Sequence, residues 1–379
     1  MIIKRTHGEN ASYHIPRIAI GITMLAILLV DGTATADNSS WSIVSPGLNG
    51  SLSGVAAVSA NNIWAVGMGP SIKHWDGNNW SVIDSPPSPT GIGTLSGVAV
   101  VSNNDVWAVG VSMFSSFPII EHWNGINWSI VPSLGYGDSG LDGIAVVSAN
   151  DIWAVGTSSS TLIEHWDGST WSVIPSPNPA EAQNSILYGV AVVSANDIWA
   201  VGSGNDNALI EHWNGINWSI VPSPNGTYAH LLGIAAVSAN DIWAVGVGVN
   251  GTLTDHWDGS TWSVVPSPNG PNVAETSSNM LNKVAVVSAN DIWAVGSYFT
   301  PSGVRQTLTE HWDGNTWKIV QSPNQGSDHN QLLDVTAIST NDIWTVGDYG
   351  NGVYSLFEHY GTNTPTQHPH QHSTSQGSR

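Results

Sequence analysis

A repeated unit constrains the fold of this chain more than any other feature of its sequence. One copy reads L-x-G-V-A-V-V-S-A-N-D-I-W-A-V-G, continues through a variable loop and ends in L-I-E-H-W-D-G-S-T-W-S-V-V-P-S-P. Seven copies, spaced 43 to 51 residues apart, are marked by the tryptophan of an I-W or V-W pair: Trp64, Trp107, Trp153, Trp199, Trp243, Trp293 and Trp344. A period of this length is typical of a repeat architecture, in which each copy forms one structural unit.

Each copy contains four short apolar runs rich in Val, Ile and Trp. In the third copy they span 143–147, 152–155, 162–166 and 171–174. S-A-N-D joins the first two runs and D-G-S-T or N-G-I-N joins the last two, and these are residues typical of tight hairpin turns. Four antiparallel strands in about 45 residues form one propeller blade. The sequence therefore predicts an all-β fold, a single seven-bladed β-propeller with four-stranded antiparallel blades.

The seventh copy lacks a fourth strand, and the N-terminal part of the chain contains it. Residues 40–46, S-W-S-I-V-S-P, have the fourth-strand pattern without preceding partners. Strand 41–46 is therefore predicted to complete the last blade and close the ring, which removes the open sheet edges. The 20 tryptophans agree with this closure, since the second, third and fourth strands account for seven, six and seven of them.

These patterns divide the chain into three parts. Residues 1–36 are interpreted as a signal peptide, 37–361 as the propeller and 362–379 as a disordered polar tail that contains histidines. The predicted blades span about 52–86, 95–133, 141–177, 187–224, 231–268, 281–323, and 332–361 together with 38–46.

The first residues predict export. Basic residues precede the apolar run 18–30, and Ala34 and Ala36 provide the small residues of a cleavage site after Ala36. The alternative is a retained membrane anchor, but this run is shorter than the roughly 20 residues of a spanning helix. We therefore expect a secreted or cell-surface protein without membrane contact after cleavage. The absence of cysteine excludes disulfides and thiol chemistry.

The charge restricts the possible partners. The chain has a net charge of −20 and only eight lysines and arginines. It cannot neutralise a run of phosphates, so nucleic acid is excluded as a partner and an anionic membrane surface is disfavoured. An extracellular glycan or protein remains as the expected partner, and the expected state is a monomer without a cofactor.

The runs W-A-V-G and D-G-x-T-W resemble the repeats of bacterial exported Asp-box (BNR-type) propellers, which include the seven-bladed photosystem II assembly factor. They are more distantly similar to kelch and galactose-oxidase propellers. The resemblance covers about 48–361 and is strongest at 167–171, 258–262 and 313–317. An Asp box has Ser or Thr two places before its Asp, where this chain has histidine. Sialidases of that superfamily use an arginine cluster, which the two arginines after residue 36 cannot form.

The repeated polar residues could be catalytic or structural. Third-strand histidines include His122, His165, His212, His256 and His311, with His74 and His359 in the outer copies. Equivalent positions of a seven-bladed ring lie roughly 50° apart and do not converge on one metal ion. We therefore interpret the histidines as structural groups that satisfy polar atoms between blades, and predict no metal site. The repeated Asp before each second strand is expected to accept bonds from turn backbone N–H groups.

Function is expected where the blades differ. The variable loops share one face of the disk, and rigid scaffolds commonly carry binding residues on such loops. The predicted ligand contacts are Tyr136, Asp138, Tyr228, Tyr298, Phe299, Tyr349 and Tyr354.

Two functions fit the sequence. The first is an exported, non-enzymatic binding or scaffold propeller. It is favoured because the residues of catalytic type repeat from blade to blade and form no unique set. The second is a secreted carbohydrate-active enzyme, a glycoside hydrolase or lyase, which would need two carboxylates that do not repeat facing each other at the channel mouth. A photosystem assembly role follows from the resemblance alone.

Overall fold

The computed structural model of the chain describes residues 39–44, 48–69, 71–86, 93–112, 117–135, 137–179, 185–271 and 279–362. In these ranges 28 strands form seven four-stranded antiparallel sheets, so the predicted seven-bladed propeller is confirmed. No helix occurs among these residues, and none is therefore available there to cross a membrane. The predicted signal peptide and the tail from residue 363 lie outside the described residues.

Blades 1 to 6 each consist of four consecutive strands. The N-terminal strand β1 (Ser40–Ile43) precedes them, and blade 1 contains β2 (Leu52–Ser59), β3 (Asn62–Gly67), β4 (Ser71–Trp75) and β5 (Trp80–Asp84). Blade 2 contains β6 (Gly93–Ser102), β7 (Asp105–Ser112), β8 (Pro118–Trp123) and β9 (Trp128–Val131). Blade 3 contains β10 (Ser139–Ser148), β11 (Asp151–Ser158), β12 (Thr161–Trp166) and β13 (Trp171–Val173).

The next three blades follow the same order. Blade 4 contains β14 (Ile186–Ser194), β15 (Asp197–Gly204), β16 (Asn207–Trp213) and β17 (Trp218–Ile220). Blade 5 contains β18 (His230–Ser238), β19 (Asp241–Gly248), β20 (Gly251–Trp257) and β21 (Trp262–Val264). Blade 6 contains β22 (Met280–Ser288), β23 (Asp291–Phe299), β24 (Arg305–Trp312) and β25 (Trp317–Ile319).

Blade 7 joins the two ends of the propeller. It contains β26 (Asn330–Ser339), β27 (Asp342–Tyr349), β28 (Tyr354–Gly361) and the N-terminal strand β1 (Ser40–Ile43), which pairs antiparallel with β28. The predicted closing strand is thus confirmed. It spans Ser40–Ile43, and the Val44 N–H extends the pairing to the Phe357 carbonyl at 2.9 Å; residues 45 and 46 of the predicted strand 41–46 lie outside the described residues. The first strands of successive blades are neighbours, and β26 lies beside β2, so the ring is closed.

Tryptophans pack the interfaces between blades. Trp107 of blade 2 contacts Trp166 and Trp171 of blade 3, with ring centroids 5.0 and 5.7 Å apart. At the closure, the same arrangement joins Trp293 of blade 6 to Tyr360 and to Trp41 of the N-terminal strand. Such aromatic pairs stabilise an interface beyond their buried area, and the repeat supplies them at every interface.

The two ends of the disk differ. The S-A-N-D and D-G-x-x turns lie side by side on one end, the turn face: Gly168 has a φ of +94°, and a Cβ there would lie 2.8 Å from the Asn150 side chain. Strand direction places the loops between second and third strands, and those between blades, at the opposite end. We call that end the variable-loop face.

Candidate functional site

The repeated histidine, aspartate and tryptophan form one hydrogen-bonded unit inside each of blades 2 to 7. In blade 3 the Asp151 Oδ1 accepts from Trp153 Nε1 and from His165 Nε2, both at 2.8 Å, and the His165 ring packs against the Trp153 ring in a tilted arrangement with centroids 4.3 Å apart. In blade 1 Asn62 takes the place of the aspartate and contacts His74 Nε2 at 2.9 Å.

This unit corrects two expectations. The histidine bonds to an acid of its own blade rather than to a group between blades, because the register places it opposite the tryptophan of the adjacent second strand. The same aspartate oxygen is used by the two side-chain donors and not by the turn backbone. Turn backbone N–H groups instead donate to the aspartate of the D-G-x-x turn. The Asp167 Oδ1 accepts from the N–H groups of Ser169 and Thr170, each at 2.8 Å.

Third-strand carboxyls carry the polar contacts between blades. The Ser176 hydroxyl of blade 3 donates to the Glu211 Oε2 of blade 4 at 2.7 Å, and the Ser267 hydroxyl of blade 5 donates to the Glu310 Oε2 of blade 6 at 2.6 Å. The third-strand carboxyls are fully or almost fully buried: Glu121, Glu164, Glu211, Asp255, Glu310 and Glu358. In the described part of the chain, the second oxygen of Glu211 and of Glu310 has no hydrogen-bond partner.

Burial raises the pKa of these carboxyls. It raises the pKa of Glu211, Glu310 and Glu358 to about 8, since an ionised carboxylate loses its hydration there. The pKa of Glu121 and of Asp255 is raised to about 7 by the same cause. Serine hydroxyls oppose the shift at Glu211 and Glu310 only in part. At neutral pH Glu211, Glu310 and Glu358 therefore hold protons for most of the time and act as neutral packing groups, whereas Glu121 and Asp255 are about half protonated.

Three of the seven predicted ligand contacts come together on blades 6 and 7, in what we call the aromatic cluster: Phe299, Tyr349 and Tyr354 with Arg305 and His329. The Tyr349 and Tyr354 rings are stacked 5.1 Å apart, and Tyr354 is 42% exposed. The Arg305 guanidinium lies 4.8 Å from the Phe299 ring centroid. His329 connects the two pairs, because its Nδ1 accepts from the Arg305 N–H and its carbonyl accepts from the Gly350 N–H.

The other predicted contacts are distributed differently. Asp138 and Tyr228 lie on other blades just before a first strand, and each has a φ of 59°. This left-handed conformation is uncommon for a bulky side chain. The Tyr228 side chain is 64% exposed. The Tyr298 hydroxyl donates to the Gln306 Oε1 at 2.7 Å within blade 6. Tyr136 lies outside the described residues.

A second group of blade-specific residues lines the central channel. In blade 3 the pairing passes from Leu141–Gly156 to Gly143–Val155, so Asp142 is the extra residue of a β-bulge. The same bulge occurs in all seven first strands. Bulges re-aim side chains, and here the extra residues surround one cavity: Ser53, Ser96, Asp142, Tyr188, Leu232, Asn282 and Leu333.

Two further residues distinguish blades 6 and 7. The glycine that follows the bulge residue in five blades is replaced by Lys283 and by Asp334. The Lys283 Nζ donates to the Tyr188 carbonyl of blade 4 at 3.0 Å. Asp334 accepts from the Val55 N–H of blade 1 and from its neighbour Val335, each at 2.8 Å. We call the seven bulge residues together with Lys283 and Asp334 the channel ring.

Burial and charge act against each other in the channel ring. Burial raises the pKa of Asp142 and of Asp334 to about 6, and the Lys283 ammonium opposes the shift in both cases. Among the described residues, no group of three histidine or acidic side chains could hold a metal ion.

None of the predicted ligand contacts belongs to the channel ring. Its residues lie in the segment L-x-G-V of the repeat and not in the variable loops. The signal that could have found them is the departure of copies six and seven, L-N-K-V and L-L-D-V, from the glycine of the others.

No protein-family model matches this sequence, and no curated protein compared with it matches either. Solved structures do match. Virginiamycin B lyase from Staphylococcus aureus is 14% identical, with a TM-score of 0.64 over 86% of this chain and 100% of that chain. YCF48 bound to D1 peptide is 15% identical, with a TM-score of 0.60 over 86% and 98%. YCF48 from Cyanidioschyzon merolae is 15% identical, with a TM-score of 0.59 over 84% and 98%. The likeness to these propellers is one of fold.

Proposed function

We propose that this protein is an exported binding or scaffold propeller that holds a glycan or a protein against its variable-loop face. The observation that carries the proposal is the separation of roles between residues. The repeated residues contact each other within and between blades, whereas the aromatic cluster and the channel ring contain residues that do not repeat.

The chemistry of the variable-loop face fits this role. The exposed Tyr354 ring and the half-buried Phe299 ring beside Arg305 provide apolar area and charged donors together, a combination enriched at binding sites. The cluster is held by backbone bonds to His329 and by the Arg305 bond to Gln331, so its side chains are positioned before a ligand arrives. YCF48, a propeller of similar fold, has been solved with a bound peptide.

An array of glycans and secreted proteins tests the proposal. The purified protein should give a hit that is bound and not converted. Tyr354→Ala should weaken that hit at least tenfold, because Tyr354 is an exposed ring of the cluster. Ile126→Ala is the matched control, since Ile126 is 84% exposed on the turn face. Equal weakening by both variants would contradict the assignment of the face.

A carbohydrate-active enzyme is the second candidate, and one observation favours it. Asp142 and Asp334 do not repeat, both line the channel, and burial raises the pKa of each to about 6. Against it, both oxygens of Asp334 already accept backbone N–H groups. Product release from a polysaccharide, lost in Asp142→Asn, would support the enzyme and overturn the binding protein.

A further inference from the structure

The channel ring is the part of the propeller in which the blades differ most. Each blade contributes its bulge residue to the same cavity, and these residues offer hydroxyl, carboxyl, amide and aliphatic groups. All of them are half-buried, so solvent reaches the cavity. Asp142 is the fourth residue of a ten-residue strand that begins at the variable-loop face, so the ring lies in the half of the channel nearer that face.

The cavity has an unbalanced charge. Lys283 is its one ammonium among the described lining residues, whereas Asp142 and Asp334 are two carboxyls. Lys283 bonds to the Tyr188 carbonyl, and Asp334 bonds to two backbone N–H groups. The Asp142 carboxyl makes no hydrogen bond to a described residue, although it lies within the electrostatic reach of Lys283. The Asp142 carboxylate is therefore an acceptor without a donor among the described residues, and the cavity has one more carboxylate than ammonium.

We propose that the channel ring binds a primary ammonium group, which the Asp142 carboxylate accepts while neighbouring hydroxyls bond to the rest of the ligand. This inference rests on the proposed function and names its ligand class. An ammonium offers three donors and no acceptor, which complements a free carboxylate. The cavity of about 240 Å³ is below the roughly 300–1,000 Å³ of sites for drug-sized ligands. It therefore fits one sugar ring or one side chain.

Such an ammonium could come from an amino sugar of a glycan or from a lysine of a protein. Calorimetric titration of the purified protein with glucosamine oligomers and with a lysine-containing peptide distinguishes the two sources. The N-acetylated oligomers and the acetyl-lysine peptide are the matched controls, because acetylation removes the charge and keeps most of the shape. We expect one amine probe to bind at least tenfold more tightly than its acetylated form, and more weakly as salt is added.

Two variants should move this affinity in opposite directions. Asp142→Asn removes the free carboxylate and should weaken the amine probe at least tenfold. Lys283→Met removes the competing ammonium and should strengthen it several-fold. Because unfolding weakens the binding of every ligand, a higher affinity of Lys283→Met for the amine probe cannot arise from loss of structure.

The outcomes separate this inference from the proposed function. If neither amine probe binds while an array hit still depends on Tyr354, the ammonium site is wrong and the binding propeller stands. If Lys283→Met weakens the amine probe, or Asp142→Asn leaves it unchanged, the charge argument is overturned. If the array gives no hit while an amine probe binds as expected, the channel site stands and the wider function of the face does not.

Discussion

Raising the pH should destabilise this propeller through its third-strand carboxyls. The folded-state pKa of Glu310 is about 8, against 4.5 for an ordinary glutamate. Between these two values the folded protein binds more protons than the unfolded chain, so the free energy of unfolding falls as pH rises. The contribution of protonated Glu310 to the free energy of unfolding is complete below pH 4.5 and is lost by about pH 8. One pKa unit corresponds to about 1.4 kcal/mol, so ionisation of Glu310 alone lowers the free energy of unfolding by up to about 5 kcal/mol across this window.

The substitution Glu310→Gln isolates this effect. Glutamine keeps an acceptor for the Ser267 hydroxyl, and it does not titrate. The variant should resemble the parent near pH 5 and be more stable than the parent at pH 8.5, with a smaller slope of unfolding free energy against pH. Glu211 and Glu358 still titrate in the variant, so part of the slope should remain. Urea unfolding followed by tryptophan fluorescence measures each point.

Asp84→Asn is the matched control, because Asp84 is exposed at the end of an outer strand. It removes one carboxyl without touching an interface between blades and should leave the slope unchanged. A free energy of unfolding that stays constant or rises between pH 5 and pH 8.5 would show that burial does not raise the pKa of these carboxyls, and a Glu310→Gln variant with the parent's slope would show the same for Glu310.

Three further predictions concern the ring itself. Deleting residues 37–47 removes Trp41 and exposes the edge of β28, so we expect a loss of at least about 3 kcal/mol and a larger hydrodynamic radius by size-exclusion chromatography. Asp197→Ala leaves the Trp199 and His212 donors unpaired and should lower the melting temperature more than Asp197→Asn, since blade 1 uses asparagine at this place. Gly233→Ala would place a Cβ 2.7 Å from the Lys283 Cα and should be destabilising in thermal melts, whereas Gly248→Ala, with no atom within 4 Å, should not.

The fold could be predicted because the repeat encodes it several times. Seven equivalent tryptophans gave the number of blades, and the missing fourth strand of the last copy matched the orphan segment around Trp41. The pairing of Trp41 with Tyr360 is the contact this match requires. Strand ends were less accurate, because hydrogen bonds extend past the apolar runs that mark a strand. In the third copy β10 begins at Ser139, four residues before the predicted run.

The site could be predicted only in part, for two physical reasons. Phe299, Tyr349 and Tyr354 are predictable as aromatic residues of the variable loops, but their grouping depends on hydrogen bonds made by His329, which belongs to no repeated pattern. The aim of Asp142 depends on a bulge, and a bulge shifts the side-chain alternation by one residue without changing the repeat. The bond from Lys283 to the Tyr188 carbonyl joins blades 95 positions apart in sequence. In the sequence, the only sign of this site is that Lys283 and Asp334 replace the glycine of the other copies.

In the proposed function, residues of the variable-loop face bind the partner and the repeated residues build the ring. Titration of the array hit with two double variants separates these two roles. Phe299→Ala with Tyr354→Ala removes two rings of the aromatic cluster; Ile126→Ala with Ile216→Ala removes two side chains that are 84% and 83% exposed on the turn face. We expect the first pair of substitutions to abolish binding and preserve the melting temperature, and the second pair to leave the affinity unchanged. Undiminished binding in the first variant, or loss of binding in the second, would show that the partner does not bind at the variable-loop face.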